Sequence, residues 1–280
     1  MNFFNSIASI FQEHLTLIQV SLFAGLISIL WFAEVIISAT PWRKKLNHSS
    51  VNFLFIFTAL PIQLAITLGV LVISDWVVSH HWGLLFLLPR PESFWVKYVI
   101  GFFLLDFFEY AYHVTMHKVS RLWKFHLVHH TDTQLDVSTT IREHPGETLI
   151  RVCFLGLWVF LSGASLGLLV LRQTVQTFSN IIAHTHLQLP GKIDKVLGWL
   201  LITPNLHHVH HHDSMPYTDC NYGDVFSIWD RIFGTYKEMD HNTINYGLDI
   251  FDAKHSDKFV YLVKTPFNQD YLKSKTNLPL

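Results

Sequence analysis

Charged residues and cysteines are scarce in this chain of 280 residues. Only 15% of the residues are Asp, Glu, Lys or Arg, whereas a typical soluble domain carries about 25%. The formal net charge of −1 gives no basic surface of the kind that binds nucleic acid, so no nucleic-acid partner is expected. The two cysteines, Cys153 and Cys220, form no Cys-x-x-Cys pair, which excludes zinc-ribbon and iron–sulfur motifs. A metal site in this chain would therefore use nitrogen ligands.

Long apolar segments predict a membrane protein. Residues 15–37 and 51–73 are each long enough to cross a hydrocarbon core of about 30 Å, and residues 94–108 form a further embedded segment. Residues 149–183 are too many for one span, so we expect a helical hairpin that turns near Gly163. A single crossing there would separate two histidine-rich segments that we expect to share a site. The sequence therefore predicts an all-α, polytopic membrane protein of about four membrane-embedded helices, the last pair a hairpin.

The side of the membrane follows from basic residues. Arg43, Lys44 and Lys45 come directly after the first apolar run, and positive residues favour the cytoplasmic side. We therefore expect an integral membrane protein that forms one domain over residues 1–280, with a cytoplasmic helical domain. The histidine-rich segments would belong to that domain, on the cytoplasmic face of the membrane.

Ten of the nineteen histidines lie in two dense segments. Residues three or four apart share one face of a helix, and neutral imidazole binds zinc, copper, iron and nickel. The number of histidines exceeds the four ligands of a tetrahedral zinc site and favours two metal ions with open positions. A second alignment of the last segment, His208-x-x-His211-His212, also fits the spacing. The candidate ligands are His113, His117, His126, His129, His130, His207, His210 and His211.

The order of these motifs resembles the fatty acid hydroxylase / sterol desaturase superfamily of membrane di-iron oxygenases. His-x-x-x-His is followed by His-x-x-His-His and, later, by a second His-x-x-His-His. The flanking residues are also similar, and the resemblance covers a catalytic core of about residues 94–236. These flanking pieces are Asp106-Phe-Phe-Glu-Tyr-Ala-Tyr112, Leu122-Trp-Lys-Phe-His126, Arg142-Glu-His-Pro-Gly-Glu147, Thr203-Pro-Asn-Leu-His207, Asn221-Tyr-Gly223 and Trp229-Asp-Arg-Ile-Phe-Gly-Thr-Tyr236.

The resemblance implies further properties of the site. It adds His184 to the eight metal ligands above and favours the alignment of the last segment that starts at His207. The chain departs from the usual pattern at His186, His208 and His212. It also implies two iron ions cycling between Fe²⁺ and Fe³⁺, O₂ as co-substrate, and a lipid substrate.

The reaction implied is oxidation of a C–H bond of that lipid, by hydroxylation or desaturation, in lipid or sterol metabolism. The chain has no Gly-x-Gly-x-x-Gly and no Cys-x-x-Cys-His motif for a redox cofactor. The electrons would therefore come from a separate donor, of cytochrome b5 or ferredoxin type with its reductase. Which lipid is oxidised, and which of the two outcomes follows, stays open at this point.

Several other residues are candidates for supporting roles. Asp106 lies seven residues before His113 and Glu109 lies four residues before it, so both would share its helix face and could orient that ligand. His144 could be an added ligand or could orient one, and His208 and His212 are open alternatives. We expect the remaining histidines to lie on the surface or at the membrane interface; they are His14, His48, His80, His81, His241 and His255.

Two other classes of protein remain as alternatives. A zinc-dependent membrane hydrolase would need three protein ligands and one water molecule, and this chain offers more than twice that number. A histidine-rich metal transporter would place ionisable residues near the middle of its spans, whereas here the histidines lie at their ends and beyond them. The number and identity of the bound metal ions distinguish these alternatives from the di-iron oxygenase.

Overall fold

The computed structural model describes residues 3–37, 41–89 and 94–268, with side chains for residues 18–37, 41–89 and 95–268. Within these ranges the chain is mostly helical, with no β-strand beyond two isolated bridges. Short 3₁₀-helices lie at Val137–Ile141, His241–Thr243, Ala253–His255 and Thr265–Phe267. The α-helices are α1 (Phe3–Ile37), α2 (Trp42–Ser79), α3 (Leu84–Leu87), α4 (Phe94–Lys118), α5 (Ser120–His130), α6 (Pro145–Ser162), α7 (Leu166–Ala183), α8 (Gly191–Leu197), α9 (Pro204–His210), α10 (Ile228–Phe233) and α11 (Phe259–Lys264).

Three segments among the described residues are long and apolar enough to cross a membrane. They are Ile18–Ile37, Trp42–Leu87 and Pro145–Ser162, and they overlap the two predicted runs and the first half of the predicted hairpin. The other two predicted membrane segments, in α4 and α7, do not qualify; α4 carries Lys97, Asp106 and Glu109, and α7 carries Arg172. The structure thus supports three spans, and the total of about four membrane-embedded helices stays a prediction.

The first two helices are longer than a bilayer is thick. At 1.5 Å per residue, the 38 residues of α2 extend about 57 Å, roughly twice the hydrocarbon core. Lys45 was expected in a basic loop, but it lies in the first turns of α2 and is buried. Its Nζ atom is 2.8 Å from Glu34 and 2.7 Å from Asp136, because a buried ammonium needs carboxylate partners. This end of α2 therefore packs in a polar environment.

The turn predicted near Gly163 is present, and membrane insertion of both arms of the predicted hairpin stays a prediction. Helix α6 ends at Gly163, which has φ 75°, and α7 begins after Ser165, whose hydroxyl accepts a hydrogen bond from the Leu168 amide. A Cβ atom on residue 163 would clash with the carbonyl oxygen of Trp82. Glycine is thus needed at this turn for its backbone conformation and for the close approach of the neighbouring loop.

Two apolar cores hold the helices together. One lies between α2, α4, α6 and α7 and includes Val77, Leu105 and Val159. The other lies between the start of α2, α5 and the segment after residue 247, around Phe55 and Leu127. Helix α4 also packs against α5, so the helices that carry the first histidine motifs are held against the apolar bundle.

Candidate metal centre

Four helices carry the nine histidines that we predicted as metal ligands. His113 and His117 lie in the last two turns of α4, and His184 is the residue that ends α7. Helix α9 begins with Thr203, whose hydroxyl accepts from the Leu206 amide, and Pro204 occupies its first position. The remaining ligands come from α5, which carries His126, His129 and His130, and from α9 and its end, which carry His207, His210 and His211.

The structure brings these nine histidines into two groups. In each group, one ligand atom from every residue lies within 4.8 Å of all the others. Every member is buried or half-buried, and neither group includes a carboxylate or a cysteine. The five-histidine group consists of His113, His117, His126, His130 and His210. The four-histidine group consists of His129, His184, His207 and His211.

Helices α5 and α9 each contribute to both groups, and helix geometry explains why. Successive residues are rotated by about 100°, so positions i and i+4 point in similar directions while i+3 and i+4 diverge by about 100°. In α5, His126 and His130 therefore join the five-histidine group and His129 faces the other group. In α9 the roles are exchanged, because His207 and His211 join the four-histidine group. The two groups are neighbours: the rings of His130 and His211 are stacked 4.5 Å apart.

The inward ring nitrogens fit metal ions. His113 and His126 bring their Nε2 atoms to 3.1 Å, and His184 brings its Nε2 atom to 3.0 Å from that of His207. Two nitrogens bound at right angles to one metal, about 2.1 Å away, would lie about 3.0 Å apart. Both ring nitrogens of His130 and of His211 are buried without a hydrogen-bond partner. Such atoms cost free energy unless something binds them, so the donor set suits nitrogen-binding metal ions.

Burial keeps these imidazoles neutral. Loss of hydration lowers the pKa of His210 to about 3 and that of His184 to about 4. Burial, followed by the neighbouring histidines, also holds the pKa of His130, His207 and His211 well below the usual range. Burial lowers the pKa of His129 as well. Neutral imidazole is the form that binds a metal, so the site needs little deprotonation before binding.

Backbone carbonyl groups orient several of the rings. The Nδ1 atom of His113 donates to the Tyr222 carbonyl at 2.9 Å, and that of His210 donates to the Cys220 carbonyl at 2.6 Å. In the other group, Nδ1 of His184 donates to the Asn180 carbonyl at 2.7 Å. These bonds place the proton on Nδ1 and leave Nε2 with a lone pair toward the interior, as metal-binding histidines require.

Two carboxylates also orient rings of the five-histidine group through Nδ1. Neither carboxylate was assigned to the site from the sequence. The Nδ1 atom of His126 lies 2.7 Å from Glu147, and that of His117 lies 3.2 Å from Asp219. Arg151 also bonds to Glu147 at 3.0 Å and neutralises part of its charge. The Arg-x-His-Pro-x-Glu motif was a signal for Glu147, whereas nothing in the sequence distinguishes Asp219 from other loop aspartates.

The two acidic residues that we expected beside His113 bind elsewhere. Asp106 accepts a hydrogen bond from the Trp229 indole at 2.8 Å and from the Val225 amide at 3.3 Å. Glu109 forms ion pairs with Arg151 at 3.0 Å and with Arg172 at 2.9 Å. Buried carboxylates take the strongest donors within reach, and these come from neighbouring helices and loops. Asp106 thus holds the segment that follows Tyr222, and its action on His113 is indirect.

The other candidate histidines lie outside both groups. His144 precedes α6: its Nδ1 atom accepts from the Gly146 amide at 2.9 Å, and its Nε2 atom donates to the Val263 carbonyl at 3.1 Å. Both nitrogens are therefore engaged with the backbone. His208 bonds through Nδ1 to the Tyr246 hydroxyl at 2.8 Å, and His212 accepts from the Ser214 amide. Of the two alignments of the last segment, the structure brings together the residues of the one that starts at His207.

The expectation that His48 lies on the surface is wrong. His48 is buried in α2, with its ring nitrogens 3.3 Å from Asp132 and 3.0 Å from Asp257. Beside it, the fully buried Arg142 donates to the Val128 carbonyl at 2.9 Å and to the Asn52 side chain at 3.0 Å. The carbonyl of Arg142 accepts from His129, so this polar cluster orients a candidate ligand. The side chain of His14 lies outside the described residues.

These features define a helical membrane protein with two adjoining all-histidine groups, and sequence comparison agrees. Residues 98–235 match the fatty acid hydroxylase family, within the core that we predicted over 94–236. The chain is 29% identical over 159 residues to the ornithine lipid hydroxylase OlsE of Rhizobium tropici, covering 56% of this chain and 45% of that protein. It is 31% identical over 166 residues to human alkylglycerol monooxygenase, covering 59% of this chain and 35% of the relative.

These matches support the assignment of the chain to the fatty acid hydroxylase superfamily. A third relative, the fatty acid hydroxylase vlmA of a Lecanicillium species, is 27% identical over 155 residues and is covered over 42% of its length. The chain thus spans less than half the length of these three relatives. No solved structure matches it significantly.

Proposed function

We propose that the chain is an oxidoreductase that uses two iron ions and O₂ to oxidise a C–H bond of a membrane lipid. The observation that carries this proposal is the pair of adjoining groups, which together supply nine histidines and no other ligand type. Nine imidazoles exceed what one zinc site or one transport site needs. Two relatives, a lipid hydroxylase and a monooxygenase, support hydroxylation over desaturation.

The residues would hold one iron ion in each group. When bound, the two ions would supply the activation of O₂ and the oxidation of an unactivated C–H bond. The chain itself keeps the imidazoles neutral by burial and keeps them oriented through Nδ1. Glu147 and Asp219 add negative charge behind the five-histidine group, which makes His126 and His117 better electron donors to a metal.

Lipid access would come from the apolar helices. Exposed large hydrophobic side chains cover α1, α2 and the first half of α4, including Phe57, Leu68 and Val99. The histidines of α4 lie beyond this lipid-facing half, in its last turns. A lipid could thus reach the metal centre along a surface that is apolar up to the histidines. The part of the lipid that reacts would then be shielded from bulk water.

Orientation and electron supply complete the proposal. We place the metal centre on the cytoplasmic side, because the exposed Arg43 and Lys44 follow the first span, and the neighbouring Lys45 pairs with Asp136 in the histidine-bearing domain. That side would give access to a separate electron donor of cytochrome b5 or ferredoxin type. The chain has no motif for a redox cofactor of its own.

Metal content tests the proposal first. Protein purified from iron-supplemented cells should contain about two iron ions per chain, and His130→Ala and His210→Ala should each lose iron and lipid oxidation while they remain in the membrane. His80→Ala is the matched control, because His80 is exposed and lies outside both groups. One zinc ion without iron would favour a hydrolase, and no stoichiometric metal would contradict an oxygenase.

A lipid assay then tests the reaction. Iron-loaded protein, an electron-donor system and ¹⁸O₂ are incubated with defined lipids, and the products are examined by mass spectrometry. Incorporation of one ¹⁸O atom into the lipid is the expected result. An alkene without ¹⁸O would show desaturation, and O₂-independent turnover would contradict the proposal.

A further inference from the structure

A second apolar surface lies outside the three candidate spans and outside the histidine groups. It is formed by α8, the loop that follows α8, and α10. Val196 is 75% exposed, Trp199 is 70% exposed and Ile232 is 61% exposed. Large apolar side chains rarely cluster on a water-facing surface unless something covers them. We name this surface the α8–α10 face, and it consists of Ile193, Val196, Trp199, Leu200, Ile232 and Phe233.

Hydrogen bonds make the two parts of this face one unit. Arg231 in α10 donates to the Gly198 carbonyl at 2.9 Å, and its guanidinium lies 5.2 Å from the Trp199 ring. The Ser227 hydroxyl donates to the same carbonyl at 2.7 Å. The Ile202 amide donates to the Val225 carbonyl at 2.9 Å. The exposed apolar side chains therefore hold a fixed arrangement.

The face is continuous with the apolar side of α4. The ring of Phe226 stacks on Phe103 at 4.4 Å, and the ring of Phe107 lies 5.8 Å from Phe233. Toward the start of α4, Trp95 and Val99 are exposed, as expected of side chains that face lipid. The α8–α10 face thus lies beside the part of α4 where the apolar half gives way to the histidine-bearing turns.

The charges around the face match a lipid headgroup layer. Lys192 and Lys195 are exposed on α8, and Arg231 lies at the edge with Trp199. Asp194 is a nearby acidic group, and it is half-buried. Aliphatic residues with tryptophan on one side, and lysine or arginine beside them, are typical of helices that lie in the membrane interface.

We propose that the α8–α10 face is a shallow membrane contact. Its apolar side chains would enter the boundary between headgroups and acyl chains, and Lys192, Lys195 and Arg231 would contact anionic headgroups. With seven residues, α8 is about 10 Å long and cannot span the bilayer, so it lies along the surface. The contact depends on membrane insertion of the chain and does not depend on the metal ions.

This contact has a consequence for the metal centre. Helix α8 lies between His184 and His207 in the chain, and both belong to the four-histidine group. The peptide segment that joins two candidate ligands would thus be anchored at the bilayer surface. The four-histidine group would face the depth at which lipid headgroups meet acyl chains.

Site-directed spin labelling measures this depth directly. The full chain carrying Cys153→Ser is reconstituted into nanodiscs of phosphatidylcholine and phosphatidylglycerol, with a nitroxide at Val196→Cys or at Trp199→Cys. The rate at which the nitroxide collides with O₂, which concentrates in lipid, is compared with the rate at which it collides with a water-soluble nickel complex. Val72→Cys in α2 serves as the lipid-facing control and the exposed Ala253→Cys as the water-facing control. A sample that carries Cys153→Ser alone measures the background signal from any labelling of the buried Cys220.

We expect the ratio of O₂ to nickel collisions at both positions to exceed the ratio at residue 253 several-fold and to stay below that at residue 72. A label at Lys195→Cys should give a ratio between that at residue 253 and those at residues 196 and 199. If one of the labelled variants does not fold, Ile193→Cys takes its place. Ratios equal to that at residue 253 would overturn the proposal, because the face would then lie in water. Exclusion of both reagents would overturn it in favour of a protein partner. Either result can be obtained with or without bound metal.

Discussion

Glu147→Gln isolates the effect of one carboxylate on one half of the metal centre. Glu147 is almost fully buried, and its Oε1 atom lies 2.7 Å from Nδ1 of His126. Glutamine preserves the size of the side chain and an oxygen acceptor, but it removes the negative charge. His126 then becomes a weaker ligand, and the change should weaken metal binding by about 10- to 100-fold, or about 1.4 to 2.7 kcal/mol.

The loss should be confined to the five-histidine group. His126 belongs to that group, and within the described residues Glu147 has no hydrogen bond to a histidine of the other group. A titration of the iron-loaded variant with a competing chelator should therefore pass through a state with one iron ion per chain. The wild-type protein should release iron from the five-histidine group only at chelator concentrations that are about 10- to 100-fold higher.

Glu143→Gln is the matched control. Glu143 pairs with the same guanidinium, at 3.0 Å from Nε of Arg151, and accepts from the Thr148 hydroxyl, but among the described residues it has no hydrogen bond to a histidine. Equal metal loss in both variants would assign the effect to the pairing of Arg151 and refute the role of Glu147. Simultaneous loss of both iron ions from Glu147→Gln would refute the separation into two groups.

Three further predictions concern protonation, alignment and stability. Nine imidazoles with an ordinary pKa would release about seven protons on metal binding at pH 6. Burial lowers the pKa of seven of the nine, so calorimetry in buffers of different ionisation enthalpy should show a clearly smaller release from the whole site, and a release of about seven protons would contradict the lowered pKa values. His208→Ala and His212→Ala should keep two metal ions by elemental analysis while His207→Ala loses one; the reverse pattern would favour the other alignment. Arg142→Met should destabilise the fold by about 3 to 5 kcal/mol, because it leaves buried acceptors unpaired, and thermal unfolding in detergent should show no comparable loss for the exposed Arg121→Met.

The proximity of the histidines could be anticipated because it rests on local geometry, whereas their division into two groups was not predicted. The i, i+3, i+4 spacing of His126, His129 and His130 determines which faces of α5 they occupy, whatever the helix packs against. The turn at Gly163 could be predicted for a similar reason, since the 35 mostly apolar residues 149–183 exceed one span. These features depend on short stretches of chain and on the thickness of the bilayer.

The partners of the buried charges could not be anticipated in the same way. Asp106 shares a helix face with His113, but the donors that it binds come from residues 225 and 229, which are more than a hundred positions later. Lys45 looked like a topology signal, yet Asp136 lies 91 positions away and draws it into the interior. Tertiary contacts between distant segments decide such pairings, and residue spacing carries no information about them.

The adjacency of His129 and His130 ties the two halves of the centre together covalently. One peptide unit, with Cα atoms about 3.8 Å apart, joins a member of one group to a member of the other. His210 and His211 form a second link of the same kind on α9. These two short tethers would restrict movement of one histidine group relative to the other. Assembly is linked as well: a chain with α9 unfolded would lack one ligand in the five-histidine group and two in the other, so neither half could be completed alone.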